Sequence, residues 1–166
     1  FKIKNSNPLI DGRETLEISI NAGKQSNGQK YTLESKEVLA IAKSNEKLQS
    51  IEILSSYSIL RSSKKHLPIS INIPDIVKTG ARYDIDLILN EPLKEAIIAG
   101  GLINISPKDI ANQYSPSIQL TPLGGGGLFK SVQAPYSPGI QRWAAILAHP
   151  DGLISVTKMV RVISDN

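Results

Sequence analysis

The chain has 166 residues, which fits one domain with its own core, and its 40% hydrophobic and 20% charged content excludes a disordered chain. It has no cysteine, so disulfides, thiolate metal sites and cysteine nucleophiles are excluded. Its 19 basic and 15 acidic residues give a net charge of +4, and the basic residues are scattered along the chain. This distribution does not predict a nucleic-acid partner.

No apolar stretch approaches the roughly 18 to 20 residues that cross a bilayer as a helix, so we expect a soluble domain without a membrane span. The sequence begins with Phe1 rather than Met, which leaves open a removed signal peptide or a cloned fragment. With the first alternative, the domain is exported and works outside the cytoplasm, in a periplasm, a lumen or the medium.

Short segments with alternating apolar residues predict β-strands. Residues 15–21 place Leu16, Ile18 and Ile20 on one face, and residues 69–73 and 83–89 repeat the pattern. Weaker candidates are 29–33, 38–43, 49–54, 101–105, 117–121 and 128–132. Residues 34–54 also suit a helix with Ser35 as its N-cap, but their alternation favours two strands.

The C-terminal third predicts a hairpin. Residues 141–148 and 153–163 are strand-like, and His149, Pro150, Asp151 and Gly152 join them as a tight turn. Lys158 falls on the apolar face of the second strand by strict alternation. We therefore expect a sheet edge or a β-bulge there.

Helical turns are expected only in connections. One is predicted at residues 92–99, with Pro92 at its first position, and another at 107–112, with Ser106 as its cap. The run Gly124 to Gly127 predicts a mobile hairpin loop between two strands.

These elements predict an all-β fold, a two-sheet antiparallel sandwich of the immunoglobulin-like kind, with one or two short helical turns in connectors. Residues 1–166 form a single domain in this interpretation. Residues 1–35 are either an extra strand pair or an extension.

The sequence contains partial matches to three kinds of catalytic or metal site. The glycine run followed by Phe129, Lys130 and Ser131 resembles a phosphate-binding loop, but Phe129 replaces the required glycine and no helix follows. A hydrolase needs a serine beside His66 or His149, and the pair of His149 with Asp151 is the only arrangement of note. Asp84 and Asp86 share one strand face, which is more typical of a solvated face than of a metal site. We expect no cofactor and no metal.

Candidate binding residues are aromatic or lie beside an aromatic. Tyr114, Phe129 and Tyr136 fall in segments rich in proline and glycine, where an aromatic cluster would form an exposed apolar patch. Arg142 and Trp143 are residue types enriched at binding hot spots. For Trp143 we favour a core position between two sheets, as sandwiches often have.

Residues 70–89 contain an Ile-Asn-Ile-Pro strand, a Lys-Thr-Gly turn and the run Arg-Tyr-Asp-Ile-Asp-Leu. Together with the hairpin at 141–163, this pattern resembles the later strands of immunoglobulin-like, E-set or fibronectin-like sandwiches. More loosely, the chain is similar to uncharacterised exported β-sandwich proteins of cyanobacteria. The resemblance implies a bacterial sandwich and transfers no catalytic residue.

The function expected from these observations is a non-enzymatic binding or accessory domain that contacts a protein partner through its end loops. A carbohydrate or small-ligand binding module is the first alternative and requires an exposed Trp143 or exposed loop tyrosines. A hydrolase that uses His149, Asp151 and a serine is the second. Candidate edge strands without strong charges leave a homodimer open.

Overall fold

A computed structural model describes residues 1–45, 47–91 and 97–165 of the protein. The fold is an all-β sandwich of two sheets with one short helix. The strands are β1 (Lys2–Ser6), β2 (Glu14–Ser26), β3 (Gln29–Ser44), β4 (Lys47–Ser63), β5 (Ile69–Asn72), β6 (Ile76–Lys78), β7 (Arg82–Leu89), β8 (Ile98–Ile105), β9 (Thr121–Leu123), β10 (Gly127–Gln133), β11 (Gly139–His149) and β12 (Gly152–Ile163), and the helix is α1 (Pro107–Ala111). The predicted sandwich is therefore confirmed.

The two sheets differ greatly in size. The large sheet has nine strands, in the order β1-β2-β3-β4-β12-β11-β8-β9, with β6 added parallel to β12. The small sheet has three strands, in the order β10-β7-β5. Every other pairing in the two sheets is antiparallel.

The core lies between the small sheet and one part of the large sheet. Alternate residues of β7, among them Ile85 and Leu87, are buried against Val156 and Val160 of β12 and Trp143 of β11. The period of two therefore marks the inner face, as residues 83–89 predicted. From the first four strands the core cluster takes Ile59 of β4 and no described residue of β1, β2 or β3.

Strands β2, β3 and β4 form a long antiparallel meander of 13, 16 and 17 residues. The prediction of strands rather than a helix at 34–54 is confirmed. A register shift between Val38 and Leu39 interrupts the pairing of β3 with β4. Strand β4 pairs with β12 only as far as Tyr57 and Lys158, so its first half separates from β12.

Lys158 keeps the alternation of β12, because the register of β12 against β4 and β11 runs through it without a shift. It is buried on the core face, where its ammonium pairs with Asp75 and lies 5.8 Å from the ring centroid of Tyr57. The pairing of β12 with β4 ends at Lys158. On the same side, β12 pairs with β6 from Arg161 onwards, opposite Ile76. Of the two expected arrangements, the β-bulge is wrong. Lys158 lies where the pairing with β4 ends, and an ion pair with Asp75 accommodates its charge there.

The connections agree with the sequence in part. Helix α1 is capped by Ser106 in a capping box with Asp109, and β11 and β12 form the predicted hairpin with His149 opposite Gly152. Of the predicted turn at 92–99, residues 92–96 lie outside the described residues, and 98–99 belong to β8.

The glycine run, Gly124 to Gly127, is not a hairpin loop. It carries the chain from β9 in the large sheet to β10 in the small sheet, since β9 pairs with β8 and β10 with β7.

Candidate functional site

The outer face of the large sheet, turned away from the small sheet, carries an exposed apolar patch. Cross-strand pairing places Ala22 beside Leu33 and Leu33 beside Leu60 on β2, β3 and β4. Two residues further along β4 on the same face, Tyr31 and Leu153 both lie opposite Ser62, on either side of it. Leu60 and Leu153 are 44% and 47% exposed, and Tyr31 is also exposed. We call these five apolar residues (Ala22, Tyr31, Leu33, Leu60 and Leu153) the hairpin patch.

Further along the outer face lies a cavity of about 370 Å³, which we call the bowl. Met159 of β12 is only 3% exposed and lines it with apolar atoms. Its lining also includes Glu37, Ile53, Ile105, Ile110 and Arg142, together with Trp143 and Lys158, whose side chains belong to the core face. The bowl therefore lies between the first half of β4 on one side and α1 with the end of β8 on the other.

The register of the sheet fixes how the charged groups of the bowl are arranged. Glu37 pairs with Ser56 across β3 and β4, while Arg142 pairs with both Met159 and Ile105 across β12, β11 and β8. The order of these strands separates Glu37 from Arg142 by three strand spacings. At about 4.8 Å per paired spacing, the two Cα atoms lie at least roughly 15 Å apart, because β4 separates from β12 beyond Tyr57 and Lys158. Glu37 and Arg142 therefore belong to opposite walls, and Lys158, whose ammonium pairs with Asp75, lies on the strand between β4 and β11.

The two walls differ in how their charges are satisfied. The Oγ of Ser56 donates a hydrogen bond of 3.2 Å to Glu37. The half-buried guanidinium of Arg142 has neither an ion pair nor a hydrogen bond with any other described residue. By contrast, Arg13 and Arg161 both pair with Glu52, and Arg61 pairs with Glu34. Arg142 therefore lines the bowl without a charged partner among the described residues.

Trp143, the neighbour of Arg142, lies on the opposite face of β11. It is 5% exposed, and its Nε1 donates a hydrogen bond of 2.9 Å to the hydroxyl of Tyr83. The ammonium of Lys130 lies 5.8 Å from the centroid of its ring. Trp143 is thus part of the core, as expected for a sandwich, and its ring offers no exposed platform for a ligand.

The three loop aromatics are exposed but are not all together. Phe129 lies on β10 opposite Asp86, on the outer side of the small sheet. Tyr136 lies beyond the other end of β10 and packs over Gly80. Tyr114 follows α1, which comes after the C-terminal end of β8. Topology therefore places Tyr114 and Tyr136 towards one end of the sandwich and Phe129 towards the glycine run.

The histidines and paired aspartates occupy ordinary polar positions. The Nδ1 of His149 accepts a hydrogen bond of 3.1 Å from the backbone N–H of Asp151. Lys65 pairs with the carboxylate of Asp151 and lowers its pKa. Within the described residues, neither histidine is hydrogen-bonded to a serine hydroxyl. Asp86 accepts a hydrogen bond from Asn72 on the outer side of the small sheet.

Across the described ranges, no group of three or more His, Asp or Glu side chains is arranged to hold a metal ion. The same residues contain no helix that is long and apolar enough to cross a membrane.

Sequence reasoning identified Arg142 but missed the other residues of the bowl. Glu37 and Met159 come together only because β4 pairs with β12 across about one hundred residues of sequence. The one available signal is the alternation of β11, which puts Arg142 on the face opposite Trp143. It does not show what Arg142 meets there.

No curated protein matches the chain. A family model matches residues 64–163, which begin directly after β4 and include both strands of the C-terminal hairpin. Strands β1 to β4 lie outside the matched residues. By this match over more than half of its length, the chain belongs to the family described as a domain of unknown function, DUF8623.

Proposed function

We propose that the protein is a non-enzymatic binding or accessory domain that contacts a protein partner through the outer face of its large sheet. The observation that carries this proposal is the hairpin patch, where Leu33 of β3 lies directly opposite Leu60 of β4, Leu153 of β12 lies diagonal to Leu60, and the side chains are in part exposed. Contiguous apolar patches on a folded surface mark interaction sites more often than scattered apolar residues do.

The composition of the patch suits a protein surface. Full burial of a Leu side chain contributes about 1.5–3 kcal/mol. About half of Leu60 and of Leu153 is still exposed, so the two together would contribute roughly 1.5–3 kcal/mol to an interface. Tyr31 adds an aromatic ring with a polar end, a residue type enriched at hot spots. Lys24 pairs with Tyr31 on the same face. A partner with an apolar centre and a carboxylate near its rim would be complementary.

The end loops offer a second surface for the same function. Tyr114 and Tyr136 are exposed and lie towards one end of the sandwich, far along the strands from the hairpin patch. They remain the alternative contact surface. Variants of each surface distinguish which of the two binds the partner.

The test is an affinity purification from the source organism with the natural chain and two double variants. Leu60→Ser with Leu153→Ser alters the hairpin patch, and Tyr114→Ser with Tyr136→Ser alters the end loops at the same number of exposed positions. We expect a specific partner that is lost with the first variant and kept with the second. The opposite pattern would assign binding to the end loops. The same partners with all three chains would refute both surfaces.

Three finer expectations belong to this proposal. The strand arrangement is of the immunoglobulin-like kind, as the pattern at 70–89 and 141–163 suggests. The domain is bacterial and works outside the cytoplasm, which cell fractionation with an antibody against the chain would test. The hairpin patch would also serve a homodimer, which sedimentation of the natural chain beside the Leu60→Ser, Leu153→Ser variant would detect.

A further inference from the structure

We propose that the bowl is a binding site for a small aliphatic monocarboxylate, with the carboxylate on Arg142 and the chain against Met159. This inference goes beyond the protein partner proposed above and rests on different residues. The hairpin patch lies nearer the β2–β3 and β11–β12 turns, and none of its five residues lines the bowl.

The apolar part of the bowl suits an aliphatic chain. Met159 and three isoleucines, Ile53, Ile105 and Ile110, surround it. Its volume of about 370 Å³ lies within the range of about 300–1,000 Å³ that is usual for small-ligand sites. At about 30 Å³ for each water-sized group, it holds roughly ten heavy atoms, the size of octanoate.

The charged part selects the head group. A guanidinium has donors arranged to bind both oxygens of a carboxylate at once, and such charge-assisted pairs are the strong hydrogen bonds of proteins. Arg142 is half-buried beside apolar groups and pairs with no described residue, so a ligand carboxylate would satisfy donors that the protein leaves open. A neutral head group of the same size would gain much less.

The opposite wall limits the other end of the ligand. Glu37 lies about three strand spacings from Arg142, at least roughly 15 Å between Cα atoms, and accepts a hydrogen bond from Ser56 there. A dicarboxylate that places one group on Arg142 would bring its second carboxylate towards Glu37. Like charges repel, so the site favours one carboxylate over two.

One residue that lines the bowl, Met159, can report on ligand binding. Met159 is the one methionine of the sequence, so protein labelled with methyl-¹³C methionine gives a single methyl signal from the wall of the site. The experiment titrates octanoate, octanol and the dicarboxylate octanedioate into the labelled full chain and follows this signal by NMR.

We expect octanoate to shift the Met159 signal to saturation, with an affinity at least about fivefold higher than that of octanol or octanedioate. Arg142→Gln should weaken octanoate at least about tenfold, as loss of a charge-assisted hydrogen bond worth about 1.4 kcal/mol or more would do. The affinity of Arg142→Lys for octanoate should lie between that of Arg142→Gln and that of the natural chain. Arg82→Gln, which removes an exposed arginine on β7, is the matched control and should leave the affinity unchanged.

The proposal is overturned if octanoate produces no saturable shift, if octanol binds as well as octanoate, or if Arg142→Gln binds octanoate like the natural chain. If Arg142→Gln does not fold, two other measurements test the proposal. They are the affinity of the natural chain for octanoate relative to octanol, and the affinity of Arg142→Lys for octanoate. The affinity purification with the hairpin-patch variant is scored separately, so failure of one proposal is distinguishable from failure of the other.

Discussion

The indole Nε1 of Trp143 donates a hydrogen bond of 2.9 Å to the hydroxyl of Tyr83, which itself donates one of 2.8 Å to Gln141. Tyr83 belongs to the small sheet and the other two residues to the large sheet, so this chain of hydrogen bonds joins the two layers inside the core. Burial raises the pKa of Tyr83, in keeping with a hydroxyl that stays neutral there.

Tyr83→Phe should lower the free energy of unfolding by about 1–3 kcal/mol, because it leaves the buried indole N–H of Trp143 without its acceptor. Urea denaturation followed by Trp143 fluorescence measures the change. Tyr114→Phe, which removes an exposed hydroxyl, is the control and should cost less than about 0.5 kcal/mol. Equal midpoints for Tyr83→Phe and the natural chain would contradict the hydrogen bond.

Lys158 and Asp75 should be energetically coupled. Asp75→Ala leaves a buried ammonium without its carboxylate and should cost about 1–3 kcal/mol, less than a fully buried pair because Asp75 is half exposed. Lys158→Met removes the charge and keeps the stem, so it should restore much of the loss in an Asp75→Ala background. A double-mutant cycle by urea denaturation measures the coupling, and strictly additive effects would contradict the ion pair.

Gly101 should tolerate no side chain. A Cβ there would lie 2.2 Å from the backbone oxygen of Gln119 and 2.7 Å from the Cγ2 of Ile118, where the chain crosses the outer face of β8. Gly101→Ala should therefore destabilise the protein by about 1–3 kcal/mol. Gly139→Ala, where a Cβ would meet nothing within 4 Å, is the matched control. The thermal midpoints compare them, and equal midpoints would contradict the close approach.

Glu52 should contribute to the free energy of unfolding in a way that depends on pH. A hydrogen bond from Arg13, assisted by the charge of Arg161, lowers the pKa of Glu52 below its ordinary value of 4.5. A carboxyl with a lowered folded-state pKa stabilises the fold above its unfolded-state pKa, and this contribution is lost as the pH falls through the folded-state value.

Glu52→Gln should accordingly cost up to about 1 kcal/mol at pH 7, since this carboxylate is partly exposed and screened by solvent. The difference between the variant and the natural chain should disappear as the pH falls well below 4.5. Thermal melts of both chains from neutral to acid pH measure it. A difference that persists unchanged in acid would show that the carboxylate charge is not its source.

Local signals predicted much of the fold. The alternation at Ile85 and Leu87 and the Pro150-Asp151-Gly152 turn depend on nearby residues, and the structure confirms both elements. The path of the chain at the glycine run depends on distant pairing. Because Gly124 to Gly127 signals a turn but not the sheets it joins, a hairpin was predicted where the chain changes sheets.

The candidate site was less accessible to sequence reasoning. Arg142 and Trp143 were grouped as neighbours, yet adjacent residues of a strand point to opposite faces. The structure puts Trp143 in the core and Arg142 in the bowl. The alternation of Leu16, Ile18 and Ile20 predicted a strand, but it does not show that the core cluster excludes β2.

The most direct measurement of the proposed binding face is photo-crosslinking in cells of the source organism. The photoreactive residue p-benzoylphenylalanine would replace Leu60 in the hairpin patch, Tyr136 at the end loops, or Asp84 on the outer side of the small sheet. We predict one specific protein adduct from Leu60→p-benzoylphenylalanine and none from the other two positions. Adducts from Tyr136→p-benzoylphenylalanine or Asp84→p-benzoylphenylalanine, with none from the Leu60 variant, would contradict binding through the outer face of the large sheet.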